Sequence, residues 1–219
     1  MKMFKWIRQF LKPIKKHIEF TTFSIKWRRI NKHNNTWPGN VFPVDKVTVG
    51  NYSYGLLTVN TYGNKEELLK IGSFCSIALE VVFILGGEHP YKGLTTFPIK
   101  YYILHNNVFE SKTKGSIIVE DGVWIGEQSI VLSGVTIGKG AIIGAGSIVS
   151  HDIPPFAIYA GGRVKKYRFS EEVIKKLLKF DLNSLSIETI DCNLEFIYNN
   201  ITPENVDEII SRLTMNKGL

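Results

Sequence analysis

Residues Val119–Val149 read VEDGVWIGEQSIVLSGVTIGKGAIIGAGSIV, and an apolar residue recurs at every sixth position of this stretch. The same spacing joins Ile71, Ile77 and Phe83 upstream. Small or β-branched residues follow four places later, at Cys75, Val81, Val123, Ser129, Val135, Ala141, Ser147 and Ile153. A period of six fits neither an amphipathic helix nor a lone half-buried strand. It predicts a β-helix with flat sides, in which each side is a short strand and each sixth residue points inward.

The extent of the repeat sets the size of this coil. Residues 119–154 supply two turns of a three-sided prism, residues 71–88 supply one more, and residues 47–62 suggest an irregular first turn. Glycine follows the spaced apolar residue at Gly72, Gly126, Gly138 and Gly144. We expect these glycines to supply corner conformations, because a Cβ hinders them. A sandwich of regularly spaced short strands is the alternative.

The composition is that of one domain with appendages. The chain has 219 residues, of which 44% are hydrophobic, which is ample for a core. Its two cysteines, Cys75 and Cys192, form neither a disulfide framework nor a zinc-binding spacing and indicate a reducing compartment. We divide the chain into an N-terminal arm (residues 1–40), a β-helix domain (residues 41–169) and a C-terminal helical segment (residues 170–219).

The N-terminal arm is strongly basic. Residues 1–35 hold ten lysines and arginines against Glu19, a charge of +9, so the rest of the +7 chain carries −2. Apolar residues follow helical spacing, at Phe4, Ile7, Leu11, Ile14 and Ile18. Such a helix binds an anionic membrane surface, or packs on its own domain or a neighbouring subunit. Nucleic acid is not expected, because no nucleic-acid-binding module accompanies the arm.

Two further features of the arm bear on its structure. Pro13 is expected to kink or divide the helix. Charges interrupt every apolar run, so the sequence predicts neither a signal peptide nor a transmembrane helix.

The six-residue spacing fails between residues 86 and 116, which predicts a long loop that leaves the prism. The loop contains His89, between a glycine pair and Pro90. Imidazole suits proton transfer because it titrates near neutrality. A loop histidine is more often ordinary than catalytic, so the loop alone leaves the role of His89 open.

The C-terminal segment carries two helix signals. Ser170 is expected to cap a helix that has Glu171 and Glu172 in its first turn. A second helix is expected from Thr202 to about Leu213.

Two stretches of the chain resemble one protein family. Ile71–Pro98 reads IGSFCSIALEVVFILGGEHPYKGLTTFP, and Val119–Phe169 reads VEDGVWIGEQSIVLSGVTIGKGAIIGAGSIVSHDIPPFAIYAGGRVKKYRF. Across residues 47–180 the chain resembles the xenobiotic and polysaccharide O-acetyltransferases of the hexapeptide-repeat class. The resemblance implies a mainly β fold, a left-handed parallel β-helix, with active sites between the subunits of a homotrimer and acetyl-CoA as the donor. The left-handed sense comes from the resemblance alone, since general topology rules favour a right-handed crossover.

The resemblance also implies roles for individual residues. His89 aligns with the catalytic histidine, and Glu88 is expected to orient or polarise its imidazole. Tyr52 and Tyr54 resemble tyrosines near the acceptor cleft, and Tyr91 is expected at its rim. The donor is expected to bind along Trp124, Gly144, Ala145, Ser147, Ser150, His151, Lys165, Lys166 and Arg168. Trp124, beside the inward Ile125, is expected at a corner of the coil. Each of these site residues has a structural alternative as corner, packing or solvated residue, and no metal is expected.

The sequence therefore predicts an acetyl-CoA-dependent O-acetyltransferase with direct transfer to a sugar hydroxyl of a bacterial surface polysaccharide or its precursor. The loop pattern and the basic arm favour this carbohydrate acceptor, and they predict a cytoplasmic enzyme at the inner face of the membrane, with peripheral contact through residues 1–35. Alternatives are a streptogramin or chloramphenicol O-acetyltransferase, an amino-sugar N-acetyltransferase, or a non-catalytic interaction module. A zinc lyase or hydrolase needs converging histidines, and the five histidines here show no paired spacing.

Overall fold

The computed structural model describes residues 2–106 and 111–215, with only the helical backbone for residues 2–10 and 215. The described strands are β1 (Asn35–Pro38), β2 (Val47–Val49), β3 (Tyr54–Asn60), β4 (Leu69–Ile71), β5 (Ser76–Ile77), β6 (Val82–Ile84), β7 (Ile117–Val119), β8 (Trp124–Ile125), β9 (Ile130–Leu132), β10 (Thr136–Ile137), β11 (Ile142–Ile143), β12 (Ile148–Val149), β13 (Ala157–Ala160) and β14 (Arg163–Tyr167). The described α-helices are α1 (Lys2–Ile30), α2 (Ile99–Tyr102), α3 (Glu171–Lys179), α4 (Ile187–Cys192), α5 (Leu194–Tyr198) and α6 (Val206–Met215).

Parallel pairing arranges the strands in three ladders, one for each side of a prism. The first side stacks β2, β4, β7 and β10. The second stacks β1, β3, β5, β8, β11 and β13, and the antiparallel β14 closes it. The third stacks β3, β6, β9 and β12, because β3 runs around a corner and pairs on two sides. The chain thus winds as the parallel three-sided coil that the six-residue period predicts.

The register shows that the loop interrupts the chain without interrupting the stack. Ile125 pairs with Ile143, eighteen residues away, which is one full coil. Phe83 pairs with Val131, forty-eight residues away, which is thirty more than one coil. The extra residues leave the prism between β6 and β7, as expected for the loop 86–116, of which residues 107–110 lie outside the described residues.

The core of the coil consists of the residues that the repeat singles out. Both the six-residue apolar series and the small series four places on are buried, which confirms their inward direction. Cys75 is among them, and burial raises the pKa of its thiol to about 11. Apolar burial of this kind is the main stabilising contribution to such a coil.

The reason expected for the repeat glycines is wrong. Positive φ angles of 59–78° recur at another phase of the repeat, at Gly122, Gln128, Gly134, Gly140 and Gly146. Gly126 is outside this set, but a Cβ on it would lie 2.6 Å from the backbone nitrogen of Ala145 in the next coil. Close stacking of coils, rather than corner conformation, therefore requires glycine at this position.

The arm begins with one long helix. Helix α1 continues through Pro13 to Ile30, so the expected division of the helix at Pro13 is wrong. Pro13 still removes one backbone hydrogen bond from the helix, because proline has no N–H. Phe23 and Trp27 each meet the Phe42 ring edge-to-face, and all three side chains are buried. Residues 35–38 of the arm form β1 on the second side of the coil. None of the described helices combines the length and the apolar character needed to cross a bilayer.

The C-terminal helices pack along one corner of the coil, where Phe74, Gly122, Gly140 and Phe156 of successive coils face them. The Ser170 side chain accepts from the Val173 backbone, which confirms the predicted cap of α3. The Lys139 ammonium, from a coil corner, donates to the carbonyls of Leu177 and Phe180, and burial lowers its pKa. The last helix begins at Val206 rather than near Thr202, since the residues between them form a turn.

Candidate active site

The loop histidine has a defined tautomer. His89 is exposed, and its Nδ1 lies 2.8 Å from the backbone oxygen of Thr96. Because a carbonyl oxygen only accepts, Nδ1 carries the proton and donates it. In the neutral ring, Nε2 is then unprotonated and available as a base. A main-chain oxygen within the same loop thus fixes which nitrogen can accept a proton.

Glu88 contacts the segment in which the loop returns to the coil. Its backbone forms an antiparallel bridge with Lys112, and its carboxylate pairs with the Lys114 ammonium at 3.1 Å. The His89 imidazole thus contacts the Thr96 carbonyl, whereas the Glu88 carboxylate contacts the Lys114 ammonium. The expected action of Glu88 on the imidazole stays a prediction.

The carboxylate of Glu67 is buried at the base of the loop, and the sequence did not predict this burial. Both oxygens of Glu67 accept from the Tyr62 backbone nitrogen, at 3.1 and 2.9 Å. Glycine is required beside it, because a Cβ on Gly86 would lie 2.6 Å from a Glu67 oxygen and one on Gly87 would meet the Tyr62 ring. Glu67 stands in the polar stretch NKEELLK, which gives no sign of burial.

The second side of the coil aligns predicted donor and acceptor residues on one outward ladder. Successive rungs are Tyr54, Ser76, Trp124, Ile142, Ile158 and Lys166. Tyr54 and Trp124 are exposed, and the isoleucine rungs are half-buried. At the usual strand spacing, Trp124 and Lys166 are separated by about 14 Å along this ladder. The ladder thus forms an apolar strip that ends in a cation.

Trp124 was expected at a corner, and this is wrong. It lies on β8 and pairs with Ser76 and Ile142 within the flat side. The residue directly before an inward position points outward on a strand, since side chains alternate. The Trp124 ring therefore projects from the outer surface of this flat side and is exposed.

The small residues expected to line the donor channel differ in what they offer. Ala145 and Gly146 are exposed, whereas Ser147 is buried and donates to the Gly144 carbonyl at 2.5 Å. The Ser147 carbonyl also accepts from the Ile130 backbone, so both polar oxygens of this residue are used within the coil. Ser150 and His151 are exposed beyond β12, and the His151 ring meets Tyr159 edge-to-face.

The basic residues after the last coil also divide into two groups. Lys165 and Lys166 are exposed on β14. The Arg168 guanidinium donates to the Gly140 carbonyl at 2.7 Å and stacks over Phe156 and Phe169. Burial lowers the pKa of Arg168. The predicted phosphate contact of Arg168 would have to compete with these internal contacts.

The other two predicted acceptor residues belong to different segments, Tyr52 to the coil and Tyr91 to the loop. Tyr52 has φ of 61° at a corner, where its ring packs on Phe74 with centroids 4.9 Å apart. Tyr91 is 79% exposed in the loop. Within residues 2–106 and 111–215, no three histidine, cysteine or acidic side chains come close enough to hold a metal ion.

The predicted site residues do not all belong to one side of the coil. The loop with His89 leaves the coil after β6, on the third side. Trp124, Tyr54 and Lys166 follow the second side. The loop with His89 and the ladder with Trp124 therefore start from different sides of the prism.

Comparisons with known proteins match this coil. The model of the family "Bacterial transferase hexapeptide (six repeats)" matches residues 116–151. Chloramphenicol acetyltransferase of Klebsiella aerogenes is 37% identical over 133 residues, 57% of this chain and 63% of that relative. The chain thus spans less than two thirds of that relative's length.

Two further matches are a curated relative and a solved structure. A probable macrolide acetyltransferase of Lysinibacillus sphaericus is 39% identical over 139 residues, 60% of this chain and 77% of that relative. A maltose O-acetyltransferase structure from Clostridium difficile 630 is 26% identical, covers 62% of this chain and 67% of that one, and has a TM-score of 0.47. From the macrolide relative and the family model, this chain belongs to the hexapeptide-repeat acetyltransferase family.

Proposed function

We propose that this protein transfers acetyl from acetyl-CoA directly to an acceptor hydroxyl, with His89 as the general base. The observation that carries the proposal is the hydrogen bond from His89 Nδ1 to the Thr96 carbonyl, because it leaves Nε2 to accept a proton. The position of this ring, exposed on the loop that leaves the coil, supports contact with a substrate.

His89 Nε2 takes the hydroxyl proton as the acceptor oxygen attacks the thioester carbonyl. The tetrahedral intermediate collapses, the C–S bond breaks, and the imidazolium returns the proton to the CoA thiolate. The products are an acetyl ester and free CoA, with no covalent enzyme intermediate. Holding both substrates in one cleft removes much of the entropic barrier, and a main-chain N–H is the donor we expect for the oxyanion.

Acetyl-CoA fits the residues of the second side. Trp124 and the isoleucine rungs offer an apolar strip for the extended arm, exposed Ala145 and Gly146 permit close approach, and Lys166 supplies a cation for the phosphates. Ser150, His151 and Lys165 extend this proposal towards the adenine end, as the family resemblance implies. The coil is proposed to be left-handed on the same ground.

The separation of His89 from the donor strip supports a homotrimer. A neighbouring copy would place its second side against the loop of the first, so that each cleft contains His89 from one chain and Trp124 from another. Glu88 would then act on the loop rather than on substrate, and Tyr52, Tyr54 and Tyr91 would line the acceptor end. Light scattering should give three times the 24.8 kDa chain mass; a monomer would contradict the shared cleft.

The proposed acceptor is a sugar hydroxyl of a bacterial surface polysaccharide or its precursor, modified in the cytoplasm. The loop sequence GGEHPYKGLTTFP and the basic arm support it. An antibiotic acceptor is the second candidate, because two of the relatives are a chloramphenicol and a probable macrolide acetyltransferase. Purified protein should release CoA thiol with sugar acceptors and not with either antibiotic; the opposite result would reject the sugar.

The role of His89 has its own test. His89→Ala should lower the transfer rate by about 100-fold or more while the mass of the oligomer and CoA binding remain. The matched control is His105→Asn, which changes another exposed loop histidine and suits its φ of 52°. Equal rates for His89→Ala and the unchanged enzyme would remove His89 from the mechanism.

A further inference from the structure

Helix α1 carries two apolar surfaces, and its own domain covers one of them. Phe23 and Trp27 are buried against Phe42. Ile25 is two residues from each of them, which is about 200° around a helix. It therefore points away from the domain, and it is 51% exposed.

The second surface is a continuous stripe. Leu11, Ile14, Ile18 and Ile25 follow one another at intervals of three, four and seven residues, so they share one side of α1. Their exposures are 50%, 48%, 60% and 51%. Residues 11–19 are all exposed, so this part of α1 has no cover from the described part of the chain. Four aliphatic side chains in a row thus remain in water in the single chain.

An aromatic residue extends the stripe at its C-terminal end. Trp37 is 53% exposed and shares a shallow groove with Ile25. The guanidinium of Arg28 lies over its ring at 5.4 Å, and Arg29 and Lys32 line the same groove. Tryptophan beside basic residues is characteristic of segments that lie at a membrane–water interface.

Charge decides which partner fits this stripe. Residues 1–35 carry +9 with Glu19 as their only acid, and the rest of the chain carries −2. A second copy packed arm to arm would bring like charges together, whereas an anionic bilayer offers both opposite charge and an apolar interior. We infer that the stripe Leu11–Ile14–Ile18–Ile25–Trp37 inserts into the surface of an anionic lipid bilayer, with α1 parallel to the membrane plane.

This inference does not depend on the proposed acetyl transfer. The experiment uses the full chain and sedimentation with vesicles, either of phosphatidylcholine alone or with phosphatidylglycerol added. The protein should bind the phosphatidylglycerol vesicles at least about ten-fold more tightly, and the difference should shrink at high salt. Equal binding to both, or binding to neither, would overturn the inference.

The decisive variant is Leu11→Glu/Ile14→Glu/Ile18→Glu, which should reduce binding to phosphatidylglycerol vesicles by about ten-fold or more. The matched control is Ile187→Glu/Leu194→Glu/Tyr198→Glu, which alters three exposed apolar residues of α4 and α5 by the same charge and should bind as the unchanged protein does. Equal losses in both variants would show a general charge effect and reject the stripe.

Two further readouts complete the test. Light scattering should give one oligomeric mass for the unchanged protein and the arm variant; a smaller mass for the variant would assign the stripe to contacts between copies and reject the lipid. The unchanged protein and the arm variant should turn over a soluble acceptor at equal rates without vesicles. If the unchanged protein shows no turnover, the proposed function is contradicted, but the vesicle result is not affected.

Discussion

The coil and its inserted loop are built on different principles. In residues 119–154, strand residues pair with equivalents one coil away, and the inward side chains are buried. In the loop, the described contacts include the Glu88–Lys112 bridge, the bond from His89 to Thr96 and the ring contact of Phe97 with Tyr102, and most side chains are exposed. The coil is stabilised by buried contacts that recur in every coil, whereas the loop buries few side chains and leaves the His89 imidazole exposed.

Truncating a phenyl group in each region should give the largest contrast. Phe83 is fully buried in the coil, and Phe97 is 50% exposed in the loop. Phe83→Ala should lower the free energy of unfolding by about 3–5 kcal/mol, because it removes apolar contacts and leaves a cavity. Phe97→Ala should cost under about 1 kcal/mol. Urea unfolding of both variants measures this, and similar losses would contradict the comparison.

Adding one methyl group should separate the regions next. Gly126→Ala forces a Cβ to within 2.6 Å of the Ala145 nitrogen, so it should cost about 3 kcal/mol as the coils move apart. The nearest atom to a Cβ on Gly93 in the loop is the Thr95 carbonyl oxygen, at 3.7 Å. Gly93→Ala should therefore leave the unfolding temperature unchanged or slightly raised. A stable Gly126→Ala variant would mean that coil stacking is looser than the structure indicates.

The buried thiol should give the smallest contrast, and it depends on pH. Burial raises the pKa of Cys75 from 9.0 to about 11 in the folded state, so the unfolded chain loses this proton first. The free energy of unfolding is unaffected by ionisation of this thiol below pH 9. It falls by about 2 kcal/mol as the pH rises towards 11, because the thiol ionises in the unfolded chain before it ionises in the folded one. The stability difference between the unchanged protein and Cys75→Ala should narrow by this amount between pH 8 and pH 11. A constant difference would contradict the raised pKa.

The repeat could be predicted because each inward position meets the same surroundings one coil above and below. Ile125 and Ile143 illustrate this, since both are inward residues of one ladder. The reason for Gly126 could not be predicted, because a sequence shows that a Cβ is absent and does not distinguish a corner from a close contact. The phase of the positive φ angles resolved that question only in three dimensions.

The candidate site was predictable only in part. The roles predicted for His89 and Trp124 come from the family resemblance, which gave no sign of the Thr96 carbonyl or the Glu67 carboxylate. Both depend on where a non-repeating loop turns back, which involves backbone atoms and burial that residue types do not record. The opposite sides of α1 were likewise hidden, since the spacing of apolar residues does not say which of them the domain covers.

The unchanged register across the loop has an evolutionary consequence. Since Phe83 stacks on Val131 despite thirty intervening extra residues, the length and content of that excursion are nearly independent of the coil. Doubling a flexible loop costs only about 0.6 kcal/mol in closure entropy. Descendants of such a protein can therefore exchange the excursion, and with it the proposed acceptor end, while they inherit the proposed donor strip intact.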